Sequence, residues 1–169
     1  MTDTAELVAR LADRVQLLED RLAIMDIISG YGPAVDSGSA ETVADIWTED
    51  GVYDVDTGSM TGRGEIEAMV RSKNHQSYIH GGCAHLVGPP HIVLDGDTAV
   101  ATCHSQLVLR DTEKGVNRVA RITANRWEFA RVDGAWKVTV RTNRLLDGRD
   151  EAREILSAGA TGAPLSFSS

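Results

Sequence analysis

The chain holds no apolar run approaching the ~20 residues that span a bilayer, no surplus of positive charge, and only two cysteines, Cys83 and Cys103. The first absence excludes a membrane-spanning helix. The second weighs against nucleic acid and anionic membranes as partners, since both recruit basic surfaces. Lysine and arginine number 17 against 25 acids, giving a net charge of −8. The cysteines show no CxxC spacing and read as two small, reduced side chains. The opening MTDTAELVARLADR carries early acids and no apolar core of signal-peptide type, so a cytoplasmic location is expected.

Common catalytic signatures are missing too. The five histidines, His75, His80, His85, His91 and His104, form no HxH or HExxH spacing, so no metal is expected. Gly62-Arg63-Gly64 fits neither GxGxxG nor GxxxxGK, and there is no GxSxG nucleophile elbow. No cofactor is expected from motif.

What is present suits one globular domain: 169 residues, 42% apolar and 25% charged. The domain is expected over residues 1–157, with a Gly/Ala/Ser-rich tail over 158–169 that reads as loose. Residues 4 to about 31 read as a helix. Val8, Leu11, Val15, Leu18, Leu22 and Met25 recur at alternating spacings of three and four, a narrow apolar seam that needs a partner. Another subunit is favoured over the chain's own domain, so a homo-oligomer is expected. Ile24, Ile27, Ile28 and Tyr31 form a second, wider face. Gly30, Gly32 and Pro33 are expected to end or kink the helix. Ser39 opens a short second helix containing Val43, Ile46 and Trp47, Asp50-Gly51 reads as a turn, Val52–Val55 as a short strand, and 64–74 as a helix.

The second half is β-rich over 84–94, 98–110, 117–132 and 135–146, with Asp95-Gly96-Asp97 and Asp133-Gly134 as hairpin turns, and a last helix spans roughly 149–157. Helices followed by a long antiparallel sheet indicate an α+β fold with helices packed on one sheet face. Centring the second hairpin on the Asp133–Gly134 bond puts Trp136, Val138, Val140 and Thr142 on one face with Phe129, Trp127 and Asn125. Arg144 joins that face roughly opposite Thr123, with Arg121 nearby: apolar at one end, cationic at the other, as in a pocket with a polar site. Centring the first hairpin on Gly96 pairs His85 with about Leu107 and turns His104 to the opposite face. A bulge at Gly88-Pro89-Pro90 would bring the two histidines together instead.

Proton transfer is then the chemistry left. Asp36 lies in a mostly apolar stretch just after the long helix, and His85 starts a strand. A carboxylate accepting the imidazole Nδ1–H fixes the tautomer and raises ring basicity, freeing the other nitrogen to take a proton from substrate. On the residues alone, a capping Asp36 and an ordinary strand His85 remain open alternatives.

Ala23-Ile24, Asp26, Tyr31, Asp36, Trp47, Asp50-Gly51, Gly62, Gly64 and Ile66, then His85, Asp95-Gly96-Asp97-Thr98-Ala99, Trp127-Glu128 and Gly134-Ala135-Trp136-Lys137, resemble the SnoaL-like branch of the nuclear-transport-factor-2-like superfamily over about residues 20–147. The resemblance implies a cone-shaped α+β barrel, a curved and mainly antiparallel sheet wrapped on N-terminal helices. Within the superfamily the chain is similar to the scytalone dehydratase, bile acid 7α-dehydratase and hexachlorocyclohexane dehydrochlorinase group, which use a His–Asp pair and no cofactor. The resemblance implies His85 and Asp36 as the catalytic pair. It implies Tyr31, Trp47, His104 and Arg144 as cavity residues that bind substrate, the His104 match depending on the bulge. A small, mostly apolar ring compound as substrate and a trimer, with a dimer as the other choice, are implied likewise. The dehydrochlorinase has a lysine before its aspartate, whereas Gly30, Gly32 and Pro33 stand here, which weakens the case for halide abstraction. Isomerisation or polyketide-type cyclisation in the same pocket is the second expectation; a non-catalytic binding or assembly module is the third.

Overall fold

The computed structural model describes residues 3–165. Its elements run α1 (Thr4–Asp36), α2 (Ala40–Asp45), β1 (Trp47–Val55), β2 (Gly58–Thr61), α3 (Arg63–Arg71), α4 (Lys73–Gly81), β3 (Cys83–Val87), β4 (His91–Asp95), β5 (Thr98–Asp111), β6 (Val116–Val132), β7 (Ala135–Leu145) and α5 (Asp150–Gly159). The fold is α+β, as expected. The sheet, ordered β2-β1-β7-β6-β5-β3 with β4 also on β5, is mixed and does not close into a barrel. Only the β1–β7 pairing is parallel among the described residues. Among the described residues no helix is long and apolar enough to cross a membrane.

The core forms where the apolar faces of α1, α2 and α3 meet one face of the sheet. Ile24, Ile28, Tyr31 and Val35 of α1 pack with Val43, Ile66 and Val70 against Trp47, Trp127, Phe129, Trp136 and Val138. Burying side chains of this size stabilises by roughly 1.5–3 kcal/mol each. Asp20 fixes the angle of α1 from the other direction: its carboxylate accepts from the indole Nε1 of Trp136 at 3.0 Å and from Arg131 at 2.8 Å.

Several boundaries differ from the sequence reading. α1 does not stop at Gly30–Pro33 but continues to Asp36 with Pro33 inside it. Asp50-Gly51 is not a turn but part of β1, at the irregularity between Trp47 and Val52 in its pairing with β7. Trp47 therefore opens a strand rather than closing a helix. The expected helix over 64–74 is two helices divided at Ser72, whose hydroxyl accepts from the His75 backbone N–H. Of the expected tail, Leu165 packs beside Ala124, Ala152 and Ile155; residues 166–169 lie outside the described residues.

Two strand irregularities decide which side chains face the helices. The β6–β7 hairpin turns through Asp133 and Gly134 with φ of 50° and 82°, the left-handed pair a two-residue turn requires. Near the turn the register is as expected, Phe129 opposite Val138. The next pair is Glu128 with Val140, so Thr139 is an extra residue and β7 is bulged there. Beyond the bulge the parity of β7 is reversed. On the other side of β6, Leu107 pairs with Arg121 but Val108 with Val119, leaving Ala120 as a second extra residue.

Candidate active site

His85 and Asp36 meet at the end of α1. His85 Nδ1 lies 2.5 Å from Asp36 Oδ1, and the His85 backbone N–H donates to Asp36 Oδ2 at 2.7 Å. The Cys83 thiol donates to Oδ1 at 3.3 Å. A carboxylate accepts, so the imidazole proton sits on Nδ1 and Nε2 keeps a free lone pair. The approach depends on Gly32, where a Cβ would stand 2.3 Å from the His85 carbonyl oxygen. Any other residue one turn before Asp36 would push β3 off α1. His85 is about a quarter exposed, as is Asp36. Burial holds the His85 pKa below the usual imidazole value of 6.5, against the opposing pull of Asp36. The imidazole is thus neutral, as a base must be, across the physiological range.

His85 stands in the wall of a hollow of about 380 Å³ lined by β1, β2, β3, β5, β6, β7, α3 and α4. Its apolar part includes Val55, Met60, Met69, Val87 and Leu107; its polar part includes Tyr53, His75, Ser105, Thr123, Arg141 and Asn143. Ser105 and Thr123 hydroxyls lie 2.8 Å apart, and the Asn125 amide donates to both.

Arg141 is the buried cation of this hollow; Arg121, also in its wall, is paired with Asp56 at 2.7 Å. Arg141 is 3% exposed, and its guanidinium carbon lies 3.9 Å from the ring centroid of Trp127, 4.2 Å from Tyr31 and 4.8 Å from Tyr53. Nε and Nη2 donate to Asn125 Oδ1 at 3.2 and 2.9 Å, while Nη1 is buried with no partner among the described residues. Burying a guanidinium among three aromatic faces is costly unless an electron-rich group completes its hydrogen bonds. Asn143, also on the hollow, donates to the Tyr53 hydroxyl at 3.1 Å, and its own Oδ1 has no partner among the described residues.

The structure brings some expected site residues together and separates others. Asp36 and His85 are joined. Tyr31 is 4% exposed and stacks edge-on against Trp127 with Arg141 above it, so it supports the guanidinium instead of lining the hollow. Burial, foremost, raises its phenol pKa far above the ordinary value. Trp47 is in the core, 5.8 Å behind Tyr53. Arg144 is a correction: the Thr139 bulge turns it to the far face of the sheet, where Asp54 binds both terminal nitrogens at 3.1 and 2.7 Å. Arg141 stands where Arg144 was expected. His104 is the other correction. The register does shift by one residue between β4 and β3 at Gly88–Pro90, but His85 still pairs with Leu107, and His104 opposite Ala124 is exposed on the outer face.

His75 was not anticipated. It is 6% exposed, its ring lies 5.6 Å from that of His85, and its Nε2 donates to the Val35 carbonyl at 3.1 Å. No spacing motif marks it; the signal available was the Ser72 cap three residues earlier.

Asp36, Cys83 and His85 also bring an oxygen, a sulfur and a nitrogen within 4.8 Å of one another. Two ligands of a tetrahedral zinc with bonds of ~2.0 Å stand roughly 3.3 Å apart, whereas Nδ1 and Oδ1 are 2.5 Å apart. That is the spacing of a short hydrogen bond. Burial, then the adjacent carboxylate, pushes the Cys83 thiol up to about 11, so the sulfur keeps its proton as well.

The chain belongs to the SnoaL-like family: the model of the SnoaL-like domain matches residues 16–142. It is similar to the crystal structure of a nuclear-transport-factor-2-like protein with a cystatin-like fold from Novosphingobium aromaticivorans, at 41% identity and a TM-score of 0.83, over 92% of this chain and 98% of that one. It is also similar in fold to the hexachlorocyclohexane dehydrochlorinase LinA-type3 from Novosphingobium barchaimii, at 20% identity and a TM-score of 0.68, over 80% of this chain and 96% of that one. No curated protein matches the chain significantly.

Proposed function

We propose that this protein is a cofactor-independent lyase that removes water from a small, mostly apolar ring compound. The observation that carries the reading is a neutral His85, held by Asp36 at 2.5 Å, in the wall of a hollow that also contains a buried guanidinium with an unpartnered N–H. A proton-accepting nitrogen and an anion-stabilising donor, both fixed before substrate arrives, are the two requirements for drawing a proton from carbon next to a carbonyl.

His85 Nε2 takes the carbon-bound proton, and the C–H electron pair moves toward the adjacent carbonyl. Arg141 Nη1 donates to the oxygen on which negative charge grows. The pair then returns to form the carbon–carbon double bond as the neighbouring C–O bond breaks. Imidazolium Nε2–H delivers its proton to the departing hydroxide, so water leaves and His85 is neutral again. Asp36 stabilises the transient imidazolium without taking its proton. The hollow of about 380 Å³ suits one or two fused rings. Asn143 adds a polar side chain to the same wall.

The test is a panel of hydroxylated, carbonyl-bearing ring compounds of polyketide and steroid type, followed by mass spectrometry. Loss of about 18 Da that disappears in His85→Ala is expected. A product of unchanged mass would replace the lyase with an isomerase in the same site. Equal turnover by wild type and His85→Ala would overturn the role of the imidazole.

A further inference from the structure

Residues 3–19 of α1 are exposed all the way round, and the helix first meets its own domain at Asp20. This projecting half nevertheless carries large apolar side chains. Val8, Leu11, Val15, Leu18, Leu22 and Met25 are each at least 40% exposed. They repeat at the 3-4 spacing of a coiled-coil seam, with Val8, Val15 and Leu22 at the a positions and Leu11, Leu18 and Met25 at d. The seam runs for about 27 Å along the helix. It points away from the Asp20, Ile24, Ile28 and Tyr31 side, which faces the core, so a helix laid on it leaves the domain undisturbed.

The geometry points to a second copy of this chain as the occupant, its α1 lying parallel and in register in a two-stranded coiled coil. Charge complementarity carries the choice. With Val8 at a, the g positions are Leu7, Arg14 and Arg21, and the e positions are Ala12, Glu19 and Asp26. In a parallel pair each g residue meets the e residue five positions further along the partner helix. Leu7 then meets Ala12, Arg14 meets Glu19, and Arg21 meets Asp26: one apolar contact and two of opposite charge, all made twice by symmetry. An antiparallel pair would set g against g and e against e, arginine on arginine and acid on acid. β-Branched valine at two a positions with leucine at two d positions favours two strands over three. The seam thus selects a dimer where resemblance alone implied a trimer. It makes no contact with the hollow, so this inference stands or falls separately from the proposed reaction.

The experiment measures mass in solution by sedimentation equilibrium, near 0.1 M salt and at micromolar chain concentration. Wild type is expected as a dimer. Arg14→Glu/Arg21→Glu sets four acidic contacts across the seam, and Glu19→Arg/Asp26→Arg sets four basic ones. Each double variant alone is expected to raise the dimer dissociation constant at least about tenfold. Mixed in equal amounts, the two are expected to form a heterodimer, since every charged g–e pair becomes oppositely charged again. The mixture also shows that both variants fold. Leu11→Cys is expected to give an intersubunit disulfide on mild oxidation, with wild type as control, because a parallel register sets Leu11 beside its own copy. A monomeric or trimeric wild type, double variants as dimeric as wild type, a mixture that does not recover, or no cross-link at Leu11→Cys would each overturn the proposal.

Discussion

Gly32 of α1 touches the backbone of His85 on β3, and this contact sets the distance between Asp36 and the imidazole. A Cβ at position 32 would stand 2.3 Å from the His85 carbonyl oxygen, far inside van der Waals contact. The neighbour is main chain in a paired strand, so it cannot turn aside as a flexible side chain would. Gly32→Ala is therefore expected to cost about 1–3 kcal/mol of stability, the usual range for overpacking. A displacement of β3 by even 1 Å is expected to lower kcat/KM by about 10²-fold. Chemical denaturation beside steady-state kinetics checks both. Unchanged values would mean that α1 and β3 are held apart by something other than this glycine.

The pH dependence follows from the direction of the His85 shift. Burial disfavours the imidazolium, and Asp36 only partly offsets this. Activity that needs neutral His85 is expected to hold as pH falls through 6.5, then decline at a lower pH. In the unfolded chain the imidazole titrates at its ordinary value. Between that value and the lower folded value the unfolded state binds more protons, so His85's contribution to stability is complete above pH 6.5 and is lost as pH falls toward the folded pKa. Asp36→Asn removes the favourable charge, so it should move the acid limb of the activity profile further down while lowering kcat by about 10²–10⁴. A profile shifted upward by that variant would show that Asp36 is not the group raising the imidazole pKa.

The fold class was legible because periodicity marks it: 3-4 spacing along α1, alternation along β5 to β7, and Asp-Gly turns between them. The Asp36–His85 pair was legible through resemblance; spacing alone left both residues as an ordinary cap and an ordinary strand histidine. What could not be read is where a strand gains a residue. Val138-Thr139-Val140 alternates as cleanly as any unbulged strand, yet Thr139 is the extra residue, and every position after it changes face. That single residue exchanges Arg144 for Arg141. His104 shows the converse. A proline-marked break was visible at Gly88–Pro90, and a register shift is there, but the β4–β5 hairpin is centred between Gly96 and Asp97, so the shift restores the His85–Leu107 pairing and leaves His104 outside. The continuation of α1 through Gly32-Pro33 was hidden for a related reason: a glycine and a proline mean helix end locally, while the tertiary contact with His85 requires the glycine where it is.

The two arginines of β7 make a paired test. Arg141→Lys keeps a positive charge but loses the planar fork bonded to Asn125 and stacked on Trp127, Tyr31 and Tyr53. If Nη1 stabilises developing charge, kcat is expected to fall about 10²–10³-fold. Arg144→Lys breaks the two-pronged, largely buried pairing with Asp54 on the opposite face and is expected to change kcat less than about twofold, with a stability loss of about 1–3 kcal/mol. Equal kinetic losses in the two variants would remove Arg141 from the reaction.

Cys83 offers a probe of the dyad that needs no substrate. Its thiol points at Asp36 Oδ1 at 3.3 Å, and burial together with the adjacent carboxylate pushes its pKa up to about 11. Thiolate is the form that reacts with iodoacetamide, so at pH 8 Cys83 is expected to alkylate far more slowly than an ordinary exposed cysteine. Replacing Asp36 by Asn withdraws the negative charge, which favours the thiolate and is expected to speed labelling several-fold. Peptide mass mapping separates Cys83 from the buried Cys103. The His85→Ala variant supplies the counter-case: it leaves the Asp36 carboxyl group beside the thiol, so Cys83 should stay protonated and labelling should rise only by what the smaller side chain exposes. If His85→Ala accelerated labelling as much as Asp36→Asn, solvent access and not the carboxylate would control the thiol, and the electrostatic account of this corner of the site would fail.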